Sequence, residues 1–255
     1  MQSLRIACVA KRDAIVAFAS ELLEVDRFRD YGPVGLQVEG TSEVEKIVCS
    51  VSASLELFEL AAERGAQMVL VHHGLFWNNE QLVIDQRQKG RLKALFDADL
   101  SLVAYHLALD AHPEIGNSVL LARELGVEPE RVFEETGIGG RLKEPRSSEE
   151  IVSLVREKLG REPLAFRYGP EPVRTVAIVT GGGGPRLLQA AREGYDLFLT
   201  GEPKEPSLHV ARELGIHFLA AGHYATEKLG VQALATRIGE RFGIEWEFVE
   251  LPNPV

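Results

Sequence analysis

At 255 residues, 45% of them hydrophobic and 26% charged, the chain can bury a sizeable core as one large domain or two small ones. Its longest apolar runs, residues 68–71 and 100–105, fall far short of the roughly 20 residues that span a bilayer, and the stretch 6–10 stops at Lys11, too soon for a signal peptide; a cytoplasmic protein is expected. The formal charge of −10 disfavours non-specific attraction to nucleic acid, a local basic patch aside.

In chain order, residues 11–23 read as an amphipathic helix, and residues 30–40 (DYGPVGLQVEG) as a Gly/Pro loop entering a short strand. Residues 46–74 then read strand, helix, strand: IVCSV, LELFELAAERGA and QMVLVHHG. A helix over 90–97 leads to a third strand in LSLVAYHLALD, ending at Asp110. Residues 128–174 are richer in charge and proline, with one helix over 148–159 and Ser148 as its N-cap. Residues 175–203 repeat the strand–helix–strand pattern, and a helix over 208–214 leads to IHFLAAGHYATE, ending at Glu227. A last helix, 226–242, precedes a closing strand, 245–251. Strands alternating with helices predict an α/β fold with mostly parallel sheets covered by helices.

The two strand–helix–strand segments align without a gap, Ala61-Ala62 on Ala190-Ala191 and Gly65 on Gly194. Laying His106 on His223 places Asp110 on Glu227, so His-x-x-x-acid recurs in both halves. The histidine-rich tips His72-His73, His106 and His223 all follow strand ends, where open α/β sheets bind ligands. With no C-x-x-C motif, a metal must use imidazole and carboxylate, a set that suits Zn, Fe, Mn or Ni. Four histidines with Asp110 and Glu227 exceed one tetrahedral ion and suit two divalent ions about 3.5–4 Å apart. His72 and His73 can both bind only if the strand ends there and the chain turns, which Gly74 permits. His106 is read as a supporting group or proton carrier, while His112, His209 and His217 are read as structural or exposed. Glu202 occupies the repeat position of His73, and residues 180–184 (TGGGG) form a tight turn that is also a weaker phosphate-cradle candidate. Cys8 and Cys49 are expected as buried, reduced thiols.

On these residues the chain resembles the GTP cyclohydrolase I type 2 homologues, also called YbgI-like or dinuclear metal centre hexameric proteins. The resemblance spans nearly the whole chain and rests on DYGPVGLQVEG, VHHGLFW, HLALDAHPEIGN, TGGG, TGE, AAGHYATE and the terminal LPNP. It implies that His72, His73, Asp110, His223 and Glu227 are the metal ligands. It also implies two intertwined α/β lobes, residues 1–127 with 218–255 and residues 128–217, with the metal site between them, and a toroidal homohexamer. The implied activity is a metal-dependent hydrolase acting on GTP or a related nucleotide, with His106 or Glu202 moving the proton. The other function in view is a metal-holding ring that serves as a scaffold, a protein- or nucleic-acid-binding module, or a metal carrier. Val34, Ala108 and Ser118 depart from the usual Asn, Pro and Asn, and none of them is a ligand.

Overall fold

The computed structural model describes residues 8–255; Ile6 and Ala7 of the first apolar stretch lie outside the described residues. The chain divides into two compact units, one made of the chain up to Leu109 with Val231–Leu251, the other of Asp110–Gly230 with Pro252–Val255.

The first unit opens with β1 (Ala10–Lys11), α1 (Arg12–Leu22), β2 (Gly35–Val38) and β3 (Glu43–Val44). It continues through β4 (Lys46–Ser52), α2 (Leu55–Glu63), β5 (Met68–His73), α3 (Gln86–Asp97), β6 (Ser101–Ala104) and the one-turn helix α4 (Leu107–Asp110). The second unit holds α5 (Asn117–Glu124), β7 (Val127–Phe133), β8 (Gly137–Arg146), α6 (Ser148–Leu159), β9 (Leu164–Arg167) and β10 (Val173–Val179). After α7 (Leu187–Arg192), β11 (Leu197–Thr200), α8 (Ser207–Leu214), β12 (His217–Ala220) and α9 (His223–Thr226), helix α10 (Lys228–Phe242) leads back to β13 (Glu245–Phe248) in the first unit.

The first unit's sheet runs β13-β4-β5-β6-β2, parallel except for β2, which is antiparallel to β6. The second unit's sheet runs β7-β8-β10-β11-β12-β9; β10, β11 and β12 are mutually parallel, and the others are antiparallel to their neighbours. Successive strand residues point to opposite faces, yet Met68, Val69, Leu70 and Val71 are all 0% exposed, so both faces of β5 are covered. Leu197, Phe198 and Leu199 behave in the same way in β11.

The internal repeat is a repeat of topology. In each unit three parallel strands follow in order, and a strand earlier in the chain (β2, with β3 intervening, or β9) pairs antiparallel with the third. The first two strands even share register: Ile47 pairs with Met68 as Val176 pairs with Leu197, the same offset as Gly65 on Gly194. The third strand corrects the expected match by one residue. Val71 pairs with Ala104 and Thr200 with Ala220, so His106 corresponds to Gly222, and His223 to Leu107. Each third strand is followed by two residues and a one-turn helix, and His223 opens its helix where His106 only precedes its own.

Other expectations shift for physical reasons. The units change over at Leu109/Asp110 and Gly230/Val231 rather than at 127/128 and 217/218, because β12 pairs with β11 and β9 in the second sheet. The N-cap of α6 is Ser147: its Oγ accepts from the Glu150 amide, and Glu150 accepts in return from the Ser147 amide, a reciprocal capping box. Ser147→Ala is expected to lower stability by about 1 kcal/mol, read as a shifted urea midpoint at unchanged m-value. The last helix does not run unbroken from Thr226, since Glu227 interrupts it between α9 and α10. Cys49 is buried as expected, and burial pushes its thiol up to about 12, whereas Cys8 is exposed. Among the described residues, no helix is long and apolar enough to cross a membrane.

Candidate metal centre

In the first unit, three imidazoles gather at the end of β5 and just past β6. Ring centroids of His72 and His73 lie 4.7 Å apart, those of His72 and His106 5.0 Å, and those of His73 and His106 5.5 Å. One ring nitrogen from each lies within 4.8 Å of the other two. Two nitrogens on one ion at about 2.1 Å stand at most about 4.2 Å apart, so small side-chain rotations let these three share a cation.

Their orientation follows from what holds Nδ1. His72 is fully buried, and its Nδ1 lies 2.9 Å from the Tyr105 carbonyl. A carbonyl only accepts, which assigns the proton to Nδ1 and leaves the Nε2 lone pair for a metal. His106 Nδ1 is 2.8 Å from Asp30 Oδ1, and an ionised carboxylate also only accepts. Asp30 also accepts from the Leu107 and Tyr31 amides, at 2.9 and 2.6 Å. Burial works to raise the Asp30 carboxyl, but the bond to His106, its charge and the two amides hold it below the usual range. His73 Nδ1 lies 3.0 Å from Ser52 Oγ, which serves either tautomer.

Both neighbouring histidines are usable because β5 ends at His73. Gly74 matters there by close approach: a Cβ would sit 2.3 Å from Gln37 Nε2, on the amide that receives the Leu75 N–H and donates to the Pro33 carbonyl. A void of about 10 Å³, room for about one water, touches His72, His106, Asp30 and Trp77. The Trp77 ring stands edge-on to His106, with centroids 5.3 Å apart.

The second unit gathers carboxylates around one histidine. His223 Nδ1 lies 2.5 Å from Glu202 Oε1, and its Nε2 lies 3.1 Å from Glu227 Oε2. Burial works to lower the His223 pKa, but the bonds to Glu227 and Glu202 and their charges outweigh it and raise the ring to about 9. Glu227 and Asp110 are both buried, with a carboxylate oxygen of each within 4.8 Å of the other. Asp110 Oδ1 accepts from Asn117 Nδ2 at 2.8 Å, while Asn117 Oδ1 accepts from the Gly230 amide at 2.7 Å.

Gly181 completes this cluster. It has φ +59, and a Cβ there would stand 1.9 Å from Glu227 Oε1 and 2.9 Å from His223 Nε2. Its amide donates to Thr226 Oγ1, and its carbonyl accepts from the amides of Gly201 and Glu202. The 180–184 turn thus braces the acidic cluster, where only a glycine leaves room for the carboxylate. A buried imidazole–carboxylate set of this kind, with the glycine cradle, fits a divalent transition-metal ion.

Each expected site residue therefore lies in one of two clusters: His72, His73 and His106 in the first unit, and Asp110, Glu202, His223 and Glu227 in the second. Asp30, Asn117, Gly181 and Thr226 were not expected to position them. His217 is structural: its Nε2 lies 3.1 Å from the Pro170 carbonyl, and its Nδ1 accepts from the Gly169 amide.

Comparison with known proteins covers the whole of this architecture. A protein of Pseudomonas aeruginosa named GTP cyclohydrolase 1 type 2 homolog is 47% identical over 245 residues, 94% of this chain and 97% of its own. The solved structure of protein ybgI, described as of unknown function, has a TM-score of 0.94 at 43% identity, covering 96% of this chain and 100% of that one. TTHA1606 from Thermus thermophilus has a TM-score of 0.91 at 37% identity, again over 96% of this chain and 100% of its own. With both histidine-bearing units inside a family match that runs over residues 10–254, this chain belongs to the Duf34/NIF3 (NGG1p interacting factor 3) family.

Proposed function

We propose that this protein is a metal-dependent hydrolase in which His72, His73, Asp110, His223 and Glu227 hold two divalent cations, drawn from Zn, Fe, Mn or Ni, and that it acts on GTP or a related nucleotide. The observation that carries the proposal is the orientation of His72, His106 and His223. Each is held at Nδ1 by a group that only accepts, which turns Nε2 toward a cation or a substrate. The nucleotide comes from the name of the relatives, GTP cyclohydrolase 1 type 2 homolog.

When bound, such a pair of ions supplies Lewis acidity that polarises the bond under attack and lowers the pKa of water toward neutrality. His106 takes up the proton at Nε2, and the Asp30 carboxylate at Nδ1 stabilises the imidazolium that forms. Glu202, committed to His223 Nδ1, acts as a positioning residue. Trp77 packs its ring edge-on against His106 and helps fix the orientation of the imidazole. The chain works in the cytoplasm as a homohexameric ring, a state that light scattering on the purified protein tests directly.

The decisive experiment is elemental analysis of protein purified without added metal, followed by a nucleotide hydrolysis panel with Mn, Zn or Fe. Turnover of GTP or a relative that His73→Ala abolishes is the expected result. Full metal content with no turnover on any nucleotide would move the function to a metal-holding ring that serves as a scaffold or carrier.

Metal uptake also has a proton signature. With its ring raised to about 9, His223 is protonated at pH 7 in metal-free protein, and a ligand must be neutral. Binding at pH 7 is expected to release about one proton from His223, read as a calorimetric enthalpy that varies with the buffer's ionisation enthalpy. Affinity should fall as pH drops below about 9, because the proton and the cation compete for Nε2. The stability that His223 gains from its two carboxylates runs the other way: it is fully present below about 6.5 and lost as pH rises through about 9.

A further inference from the structure

Within the second unit, a cavity of about 320 Å³ has Asp110 in its wall. That volume sits at the lower end of small-molecule pockets, about 300–1,000 Å³. Val119, Val132 and Ile138 give the wall an apolar character, and His112 and Arg123 also line it.

The tautomer of His112 is the reverse of that assigned to His72 and His106. Its Nδ1 accepts from the Glu114 and Ile115 amides, at 3.1 and 3.2 Å, so the neutral ring carries its proton on Nε2. Arg123 is fixed beside it: its guanidinium donates to the Glu114 carbonyl at 2.8 Å and the Pro113 carbonyl at 3.4 Å. Among the described residues it forms no ion pair with a carboxylate, and of its five N–H donors only those two are committed. The neighbouring charges are offset differently. Arg131 pairs with Glu193 at 2.6 Å and Glu130 with Arg141 at 3.0 Å, while Glu135 is exposed and screened by solvent.

We propose that this cavity receives the body of the substrate and selects a phosphate-bearing small molecule, with Arg123 holding its oxyanion. The inference rests on the hydrolase proposal, which makes Asp110 a metal ligand and so places the held molecule next to the reaction. An arginine prepositioned by carbonyls gives charge-assisted bonds without the entropy of ordering a free side chain.

The test titrates the full-length protein calorimetrically with guanosine 5′-monophosphate and with guanosine, which differ only in the phosphate. Metal content and thermal unfolding are followed for every variant. Wild type is expected to bind the monophosphate about tenfold more tightly or better, and Arg123→Gln to remove most of that preference at unchanged metal content. Glu135→Gln should strengthen binding of the monophosphate, because it removes a like charge. Val132→Trp, at an exposed wall position on β7, should weaken both probes together. Binding of neither probe, equal binding of both, or an unchanged preference in a folded Arg123→Gln protein would overturn the pocket. Metal-loaded wild type that keeps the preference yet hydrolyses no nucleotide overturns the hydrolase proposal alone. Hydrolysis with a KM that Arg123→Gln does not move overturns the pocket alone.

Discussion

Gly181→Ala is expected to yield a folded protein that has lost most of its metal. The new Cβ would stand 1.9 Å from Glu227 Oε1, 2.8 Å from Glu227 Cδ and 2.9 Å from His223 Nε2, distances at which one partner must move. Glu227 is 3% exposed, so its carboxylate has little open space into which to swing. The backbone adds a second cost, since φ +59 is left-handed and an L-residue pays roughly 1–2 kcal/mol there. The strand pairing of β10 with β11 lies outside this contact, so the sheet survives. We expect metal affinity to fall at least about tenfold, the equivalent of 1.4 kcal/mol at the site, with a global loss near the backbone cost. Elemental analysis and competitive chelator titration read the first, and urea unfolding the second. Full metal content with wild-type affinity would refute the cradle.

Asn117→Leu carries the largest expected loss of stability. Asn117 is 0% exposed and joins Asp110 Oδ1 to the Gly230 amide, two groups far apart in sequence. Leucine matches its size and offers neither donor nor acceptor. The Gly230 N–H loses its acceptor in a buried setting, and the Asp110 carboxylate loses one donor. At about 1–3 kcal/mol for each buried group so affected, and more for a charge, the sum is about 3–5 kcal/mol. For a chain of this length that is a fall in Tm of about 6–20 °C. Asn117→Asp separates the two bonds, because it keeps the acceptor for Gly230 and sets a second carboxylate against Asp110. It should therefore lose more stability as pH rises through the carboxylate range. A melting temperature within about 2 °C of wild type for the leucine variant, a shift smaller than about 1 kcal/mol produces, would show that Asn117 does not clamp Asp110.

The parallel strands were legible in sequence because each is buried on both faces and so reads as an unbroken apolar run, as in MVLVHH and LFLT. The second unit's antiparallel edge was not. β7 reads VEPERVF with only its ends buried, and β8 reads GIGGRLKEPR, so neither presents the apolar run or the regular alternation that marks a strand. The candidate metal-site histidines stood out as clusters at strand ends. What orients them did not, because Asp30 meets His106 across 76 residues and Asn117 meets Gly230 across 113, separations that no local pattern reports. The one-residue slip between His106 and His223 was hidden for a related reason: spacing alone matched the acids, while strand register, which fixes the true correspondence, is a property of the folded sheet.

The order of strands also sets a timetable for synthesis. β13 is the last element made, yet it lies beside β4 in the first unit's sheet, and Ser50 there donates to the Val249 carbonyl 199 residues further on. At about 5–20 residues per second, the flank of β4 waits about 10–40 s on the ribosome for its partner. Throughout that interval an apolar strand, IVCSV, shows an open row of amides and carbonyls, the template on which chains mispair. The inserted second unit meanwhile has every strand of its own sheet in hand. The nascent protein thus closes from its middle outward, and its first-made half is the last to be sealed.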